Sequence, residues 1–170
     1  MLRPTNRHHK AFTLLELIIV VVIIGIIAAI AIPRMSRGSQ GAGESAFKGD
    51  LDVLRTAIDI YAAEHGGSFP SGTAAQVLAQ LTTYSTVAGV TGAAKNPATG
   101  MIYGPYLKAM PPLPVGTKKS DSTMVVVTGA ATVPPAAGTN GWWYNSTTGD
   151  IRANLAATET GDENKPYNQY

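Results

Sequence analysis

Residues 12–32 form a nearly unbroken apolar run, opening on Phe12 and closing on Ile32, with one acid, Glu16, close to its start. At about 1.5 Å per residue a helix of this length rises about 30 Å, the thickness of a hydrocarbon core. Without its first turn the run would be too short to span, so Glu16 must sit at the membrane surface or meet a partner inside it. A carboxylate at bilayer depth costs roughly 2.5–3.5 kcal/mol on insertion scales, which makes Glu16 a functional candidate in its own right. Residues 1–11 carry Arg3, Arg7 and Lys10 and no acid. Such a flank tends to stay cytoplasmic, so the C-terminal side is expected to cross. Pro33-Arg34-Met35 follow the run in place of the small-residue cleavage site of an ordinary secretory signal. A cut ahead of the run would therefore leave the anchor on the mature protein. Gly25 and Pro33 are weak points at which this helix could stretch or bend.

The pattern changes after Pro33. Residues 36–45 contain Gly38, Gly41 and Gly43, a soft helical section or a short break, because each interior Gly costs about 1 kcal/mol relative to Ala. From Ala46 a helical period returns. Phe47, Leu51, Leu54, Ile58 and Tyr61 alternate spacings of four and three and form one stripe, while Lys48, Asp52, Arg55, Asp59 and Glu64 lie mainly off it. The stripe must cover something, most simply a small sheet of the same chain. A coiled coil would need more heptads. Gly66-Gly67 supply a stop and Pro70 forbids continuation. His65 falls in the last turn, and with no other His beyond residues 1–11 metal ligation there is not expected.

Residues 68–157 are enough for one small domain. Ser71 or Thr73 can cap a short helix through Leu81, with Val77, Leu78 and Leu81 on one side. Residues 82–96 read as a loop. Residues 103–114 hold too many prolines for a helix or inner strand, and Tyr106, Leu107 and Met110 look like core anchors. Residues 124–128 read as a buried strand. Gly141-Trp142-Trp143-Tyr144-Asn145 and Asp150-Ile151-Arg152-Ala153-Asn154 flank Ser146-Thr147-Thr148-Gly149, a hairpin signal. Trp142 and Trp143 point to opposite faces of that strand, which predicts one in the core and one partly exposed. Residues 158–170 read as a mobile polar tail.

Composition removes several function classes. The chain of 170 residues has a formal charge of +2. Setting aside the three cations of residues 1–11 leaves ten basic against eleven acidic side chains, a net −1 that gives no electrostatic basis for nucleic-acid binding. There is no cysteine, hence no disulfide and no thiol chemistry. No phosphate-cradling Gly-rich loop, His-acid ligand spacing or Ser-His-acid set is present, so no enzyme is expected. Asn145-Ser146-Thr147 fits a glycosylation acceptor, but the turn explains it as well.

The segment Lys10-Ala11-Phe12-Thr13-Leu14-Leu15-Glu16 resembles the N-terminus of type IV pilin-like proteins. The tract from Tyr61 to Pro70 resembles the end of the long helix in the major pseudopilin of type II secretion, and the C-terminal hairpin resembles that of many bacterial pilin-like proteins. The resemblance implies an α+β fold, with a long N-terminal helix, transmembrane in its first half, packed on a small antiparallel sheet. It divides the chain into a cleaved leader (1–11), an assembly helix (12–33), an amphipathic second half (34–67), a globular domain (68–157) and a tail (158–170). It implies cleavage between Ala11 and Phe12 by a prepilin peptidase and N-methylation of Phe12. Ala11 departs from the Gly the family favours before the cut. Glu16 would pair with the new terminal amine of a neighbouring subunit, and Gly25 and Pro33 would mark where the helix loosens in a filament. Minor pseudopilins, an inner-membrane platform and lipid are the implied partners, the inner membrane and periplasm the implied location. A pilin for adhesion, motility or DNA uptake and a non-polymerising membrane-anchored binding module are the rival readings. Calcium in a C-terminal acidic loop is a weaker implication, with Asp162 and Glu163 the only donors in the corresponding place.

Overall fold

The computed structural model describes residues 12–130, 134, 138–161 and 163–170. Its chain divides into two compact units, Met1–Ser39 and Gln40–Tyr170. Helix α1 (Leu14–Glu64) contributes to both. Its backbone is helical through Gly25, Pro33 and the glycine-rich residues 36–45, so of the two readings of that section the helical one holds. In the first unit the described large apolar side chains of α1, from Leu14 to Ile30, are exposed.

In the second unit α1 becomes amphipathic. Phe47, Leu51, Leu54, Ile58 and Tyr61 are all buried, with Ala57 beside them. The helix ends because Gly66 and Gly67 adopt left-handed φ of +65° and +86°. Gly67 N then reaches back to the Ala62 carbonyl at 2.7 Å, which satisfies a carbonyl the helix would leave open. Helix α2 (Ala74–Thr82) is capped by Thr73. Thr73 Oγ1 accepts from Gln76 N and Gln76 Oε1 accepts from Thr73 N, a capping box. Val77 and Leu81 are buried on its inner side.

Two small sheets complete the unit. Strands β1 (Tyr84–Ser85) and β2 (Thr91–Gly92) pair antiparallel. They lie in the stretch read as a loop from sequence, because two-residue strands are too short to show a period. Strands β3 (Met124–Val127), β4 (Trp142–Asn145) and β5 (Ile151–Ala153) form the second sheet in that order. The hairpin is present, with Trp142 opposite Ala153 and Tyr144 opposite Ile151. The α+β arrangement of helix on small sheets holds, but this sheet is mixed rather than antiparallel. Strand β3 runs parallel to β4, from Met124 opposite Trp142 to Val127 opposite Asn145. The connection over residues 128–141 is long enough to carry the chain back to the starting edge, which parallel pairing requires. As the edge strand, β3 buries only Met124 fully.

Two further expectations fail. Trp142 and Trp143 are both fully buried. Trp142 packs in the main core and donates from Nε1 to the Pro111 carbonyl. Trp143 is buried on the opposite face, its Nε1 with no hydrogen-bond partner among the described residues. The chain leaving β3 is tied over the β4–β5 turn, since Gly129 accepts from Asn145 Nδ2 and donates to Thr147 Oγ1. That face is therefore not the solvent face that a bare two-residue alternation implies.

The tail is not a loose strand either. Tyr167 and Tyr170 meet Phe47 edge-on at 5.3 and 5.7 Å between ring centroids, and Asn168 is buried. Arg55 of α1 donates to the Tyr170 carbonyl at 2.6 Å. Buried Glu44 takes the Tyr170 hydroxyl at 3.1 Å and lies 3.5 Å from Lys48. Three aromatic or polar anchors outweigh the polar composition that suggested mobility.

Candidate assembly site

Of the sequence-predicted assembly residues, Phe12 lies just before α1, Glu16 lies on its first turn, and Gly25 and Pro33 lie further along it. Phe12 is 82% exposed, and fourteen large apolar side chains between residues 12 and 30 are about half exposed or more. Full burial of each is worth about 1.5–3 kcal/mol, so water is a poor solvent for this face. A helix apolar all round needs lipid or other helices around it. Among the described residues no helix is long and apolar enough to cross a membrane. Residues 14–30, the helical part of the run whose side chains are described, rise about 26 Å.

Glu16 has a local role that the sequence-level argument missed. Its Oε2 accepts from Thr13 N at 3.0 Å and from Thr13 Oγ1 at 2.9 Å, while Thr13 Oγ1 accepts from Glu16 N at 3.2 Å. Thr13 and Glu16 therefore close a capping box on the first turn of α1. The signal was present as Thr-x-x-Glu just before an apolar run. Both bonds to the carboxylate fall on one oxygen. Oε1 has no hydrogen-bond partner among the described residues, so the box orients the acid without saturating it. Gly25 has nothing within 4 Å of where a Cβ would stand, so no neighbour among the described residues demands a glycine there. Pro33 lies within the helical backbone of α1. Ala11, on the proposed cleavage point, lies outside the described residues.

The other described candidates have partners within the fold. His65 is buried, stacked on Tyr61 at 3.7 Å, with Nδ1 2.7 Å from the Tyr61 carbonyl and Nε2 3.0 Å from Ser85 Oγ. Asn145 is buried and its Oδ1 accepts from Thr147 N at 2.9 Å, so the acceptor pattern is a turn motif here. Asp162 lies outside the described residues. Glu163 is exposed and pairs with Lys48 at 3.4 Å, which uses its charge on an ammonium. Among the described residues no three His, Cys, Asp or Glu gather as a metal site. The described donors at this end of the chain do not make a calcium cage of six or more oxygens.

Residues 6–32 match the family model of the prokaryotic N-terminal methylation motif. The match supports a type IV pilin-like protein. No curated protein and no solved structure matches the chain. The motif implies processing by a prepilin peptidase and pilus-like assembly, a structural rather than an enzymatic role. It spans Phe12, Glu16 and the apolar run, whose described side chains at the start of α1 are exposed, together with Arg7 and Lys10, which lie outside the described residues.

Proposed function

We propose that the chain is a major pseudopilin of type II secretion. Cut between Ala11 and Phe12, N-methylated at Phe12 and held in the inner membrane, its subunits stack by their apolar helices into a periplasmic filament that drives exoproteins outward. A minor-pseudopilin tip and an inner-membrane platform complete the machine. The observation that carries the assembly step is the carboxylate of Glu16, fastened through Oε2 and open at Oε1 on an otherwise apolar helix. A terminal amine of ordinary pKa, about 7.7–8.0, is largely charged at neutral pH and offsets such a carboxylate when a neighbour brings it close. Loosening at Gly25 and Pro33 would let adjacent helices keep that pairing while their C-terminal units pack. The absence of cysteine favours a pseudopilin over the disulfide-stapled adhesive pilins. Asp162 and Glu163 remain the calcium candidates, to be tested by calorimetric titration.

The test is production in membranes that contain the peptidase, with mass spectrometry of the N-terminus and electron microscopy of sheared filaments. A methylated Phe12 terminus and filaments are expected, and Glu16→Ala should insert into the membrane yet form none. An intact Met1 terminus without filaments, or normal filaments from Glu16→Ala, refutes the reading. Loss of exoprotein release on deletion supports secretion, whereas loss of surface fibres with release intact assigns the chain to the pili.

A further inference from the structure

In the unit Gln40–Tyr170 the exposed large apolar side chains among the described residues gather in two places. Val53 and Ile60, 55% and 46% exposed, lie on the outer side of α1. With Thr56, Ala57 and the Tyr106 ring they line a groove of about 290 Å³. Tyr106 is held in place by its hydroxyl bond to Glu64 and by edge contact with Tyr61 at 5.6 Å, so the groove wall is preformed. Asp52 lines the groove, and Asp59 follows it two turns on along the same flank. Neither acid has an ion pair among the described residues.

The second place is the outer face of the β1–β2 hairpin. Ser85 opposes both Thr91 and Tyr103, and Asn96 opposes Met101. That register sets Thr86 opposite Val90 and Lys95 opposite Ile102. Ser85 is buried, so alternation turns Thr86, Val90 and Ile102 outward. Val90 and Ile102 are 60% and 44% exposed. Lys95 has no ion pair among the described residues.

We propose that the groove of one copy receives the hairpin face of the next. Val90 and Ile102 seat between Val53 and Ile60, and Lys95 answers Asp52 and Asp59. This rests on the assembly reading above and names a contact that follows the helix pairing. The second copy is the occupant because apolar surface and charge are complementary within one chain. An acid-rimmed groove and a lysine-bearing apolar face form a head-to-tail contact of two different patches. Such a contact does not close on itself and propagates as a filament.

The absence of native cysteine allows a clean test. Full-length chains carrying only Val53→Cys and chains carrying only Ile102→Cys are produced together in membranes that contain the peptidase, then oxidised. The expected product is a disulfide dimer holding one chain of each kind, by mass spectrometry, where each variant alone gives several-fold less dimer. In that background Lys95→Glu should lower the mixed dimer about two- to five-fold, the range of an exposed ion pair, and Asp52→Lys with it should restore part of the yield. Normal filaments without the mixed dimer overturn this contact and leave the assembly reading standing. A disulfide to a chain of another mass also overturns it. Failure of the unaltered chain to form filaments defeats the assembly reading and this contact together.

Discussion

Replacing Phe47 by Ala tests whether α1, the sheet and the C-terminal residues form one core. The Phe47 side chain is fully buried. Its ring lies 6.2 Å from that of Trp142 at an interplanar angle of 16°, and Tyr167 and Tyr170 close over it edge-on. Removing a buried Phe costs about 3–5 kcal/mol through lost transfer energy and the cavity left behind. A domain's total stability is about 5–15 kcal/mol, so the variant should be marginal. With a urea dependence of about 2 kcal/mol per M, the midpoint should fall by about 2 M. The assay is urea unfolding of the detergent-solubilised full chain, followed by the emission of Trp142 and Trp143, both in β4. Combining Phe47→Ala with Tyr170→Ala in a double-mutant cycle should give a coupling of about 0.5–1.5 kcal/mol. A loss under 1 kcal/mol, or no coupling, would refute the seating of the C-terminal residues on α1.

Other outcomes follow from single sites. Gly149 closes the β4–β5 turn at φ +74°, and a Cβ there would meet the Phe69 ring. Gly149→Ala should therefore destabilise by more than the about 1 kcal/mol of left-handed backbone strain alone, read as a fall in the urea midpoint. Tyr144 is buried and donates to the Pro70 carbonyl at 2.9 Å, and burial raises its pKa well above the usual tyrosine value of 10.0. The folded state then keeps a proton that the unfolded state releases. Stability is fully present below pH about 10 and falls as pH rises above it. Tyr144→Phe should flatten that alkaline fall in a series of melts between pH 8 and 11, about the range in which free tyrosine titrates. A slope equal to that of the unaltered chain would contradict the assignment.

Much of this was legible from residue order because the controlling physics is local. The apolar run, the single acid at Glu16, the alternating stripe from Phe47 to Tyr61 and the Gly66-Gly67 stop each depend on a few neighbouring residues. The same holds for the Thr73 cap and the turn at Ser146 to Gly149. The capping role of Glu16 was local too, and its Thr-x-x-Glu pattern was readable beside the functional one.

Long-range contacts decided the rest. Nothing in a four-residue strand says which neighbour it meets, so the parallel pairing of β3 with β4 appears only in the tertiary structure. Periodicity assigns Trp143 to the face opposite Trp142, but what lies over that face is set by chain more than ten residues away. The polar composition of residues 158–170 hides three anchors whose partners, Glu44, Phe47 and Arg55, are over a hundred residues distant. Sequence alone determined the apolar stripe of α1 and where helices start and stop, since sterics and hydrogen bonding act there between near neighbours. Tertiary structure alone decided which surfaces remained open, because burial is a property of whatever folds on top.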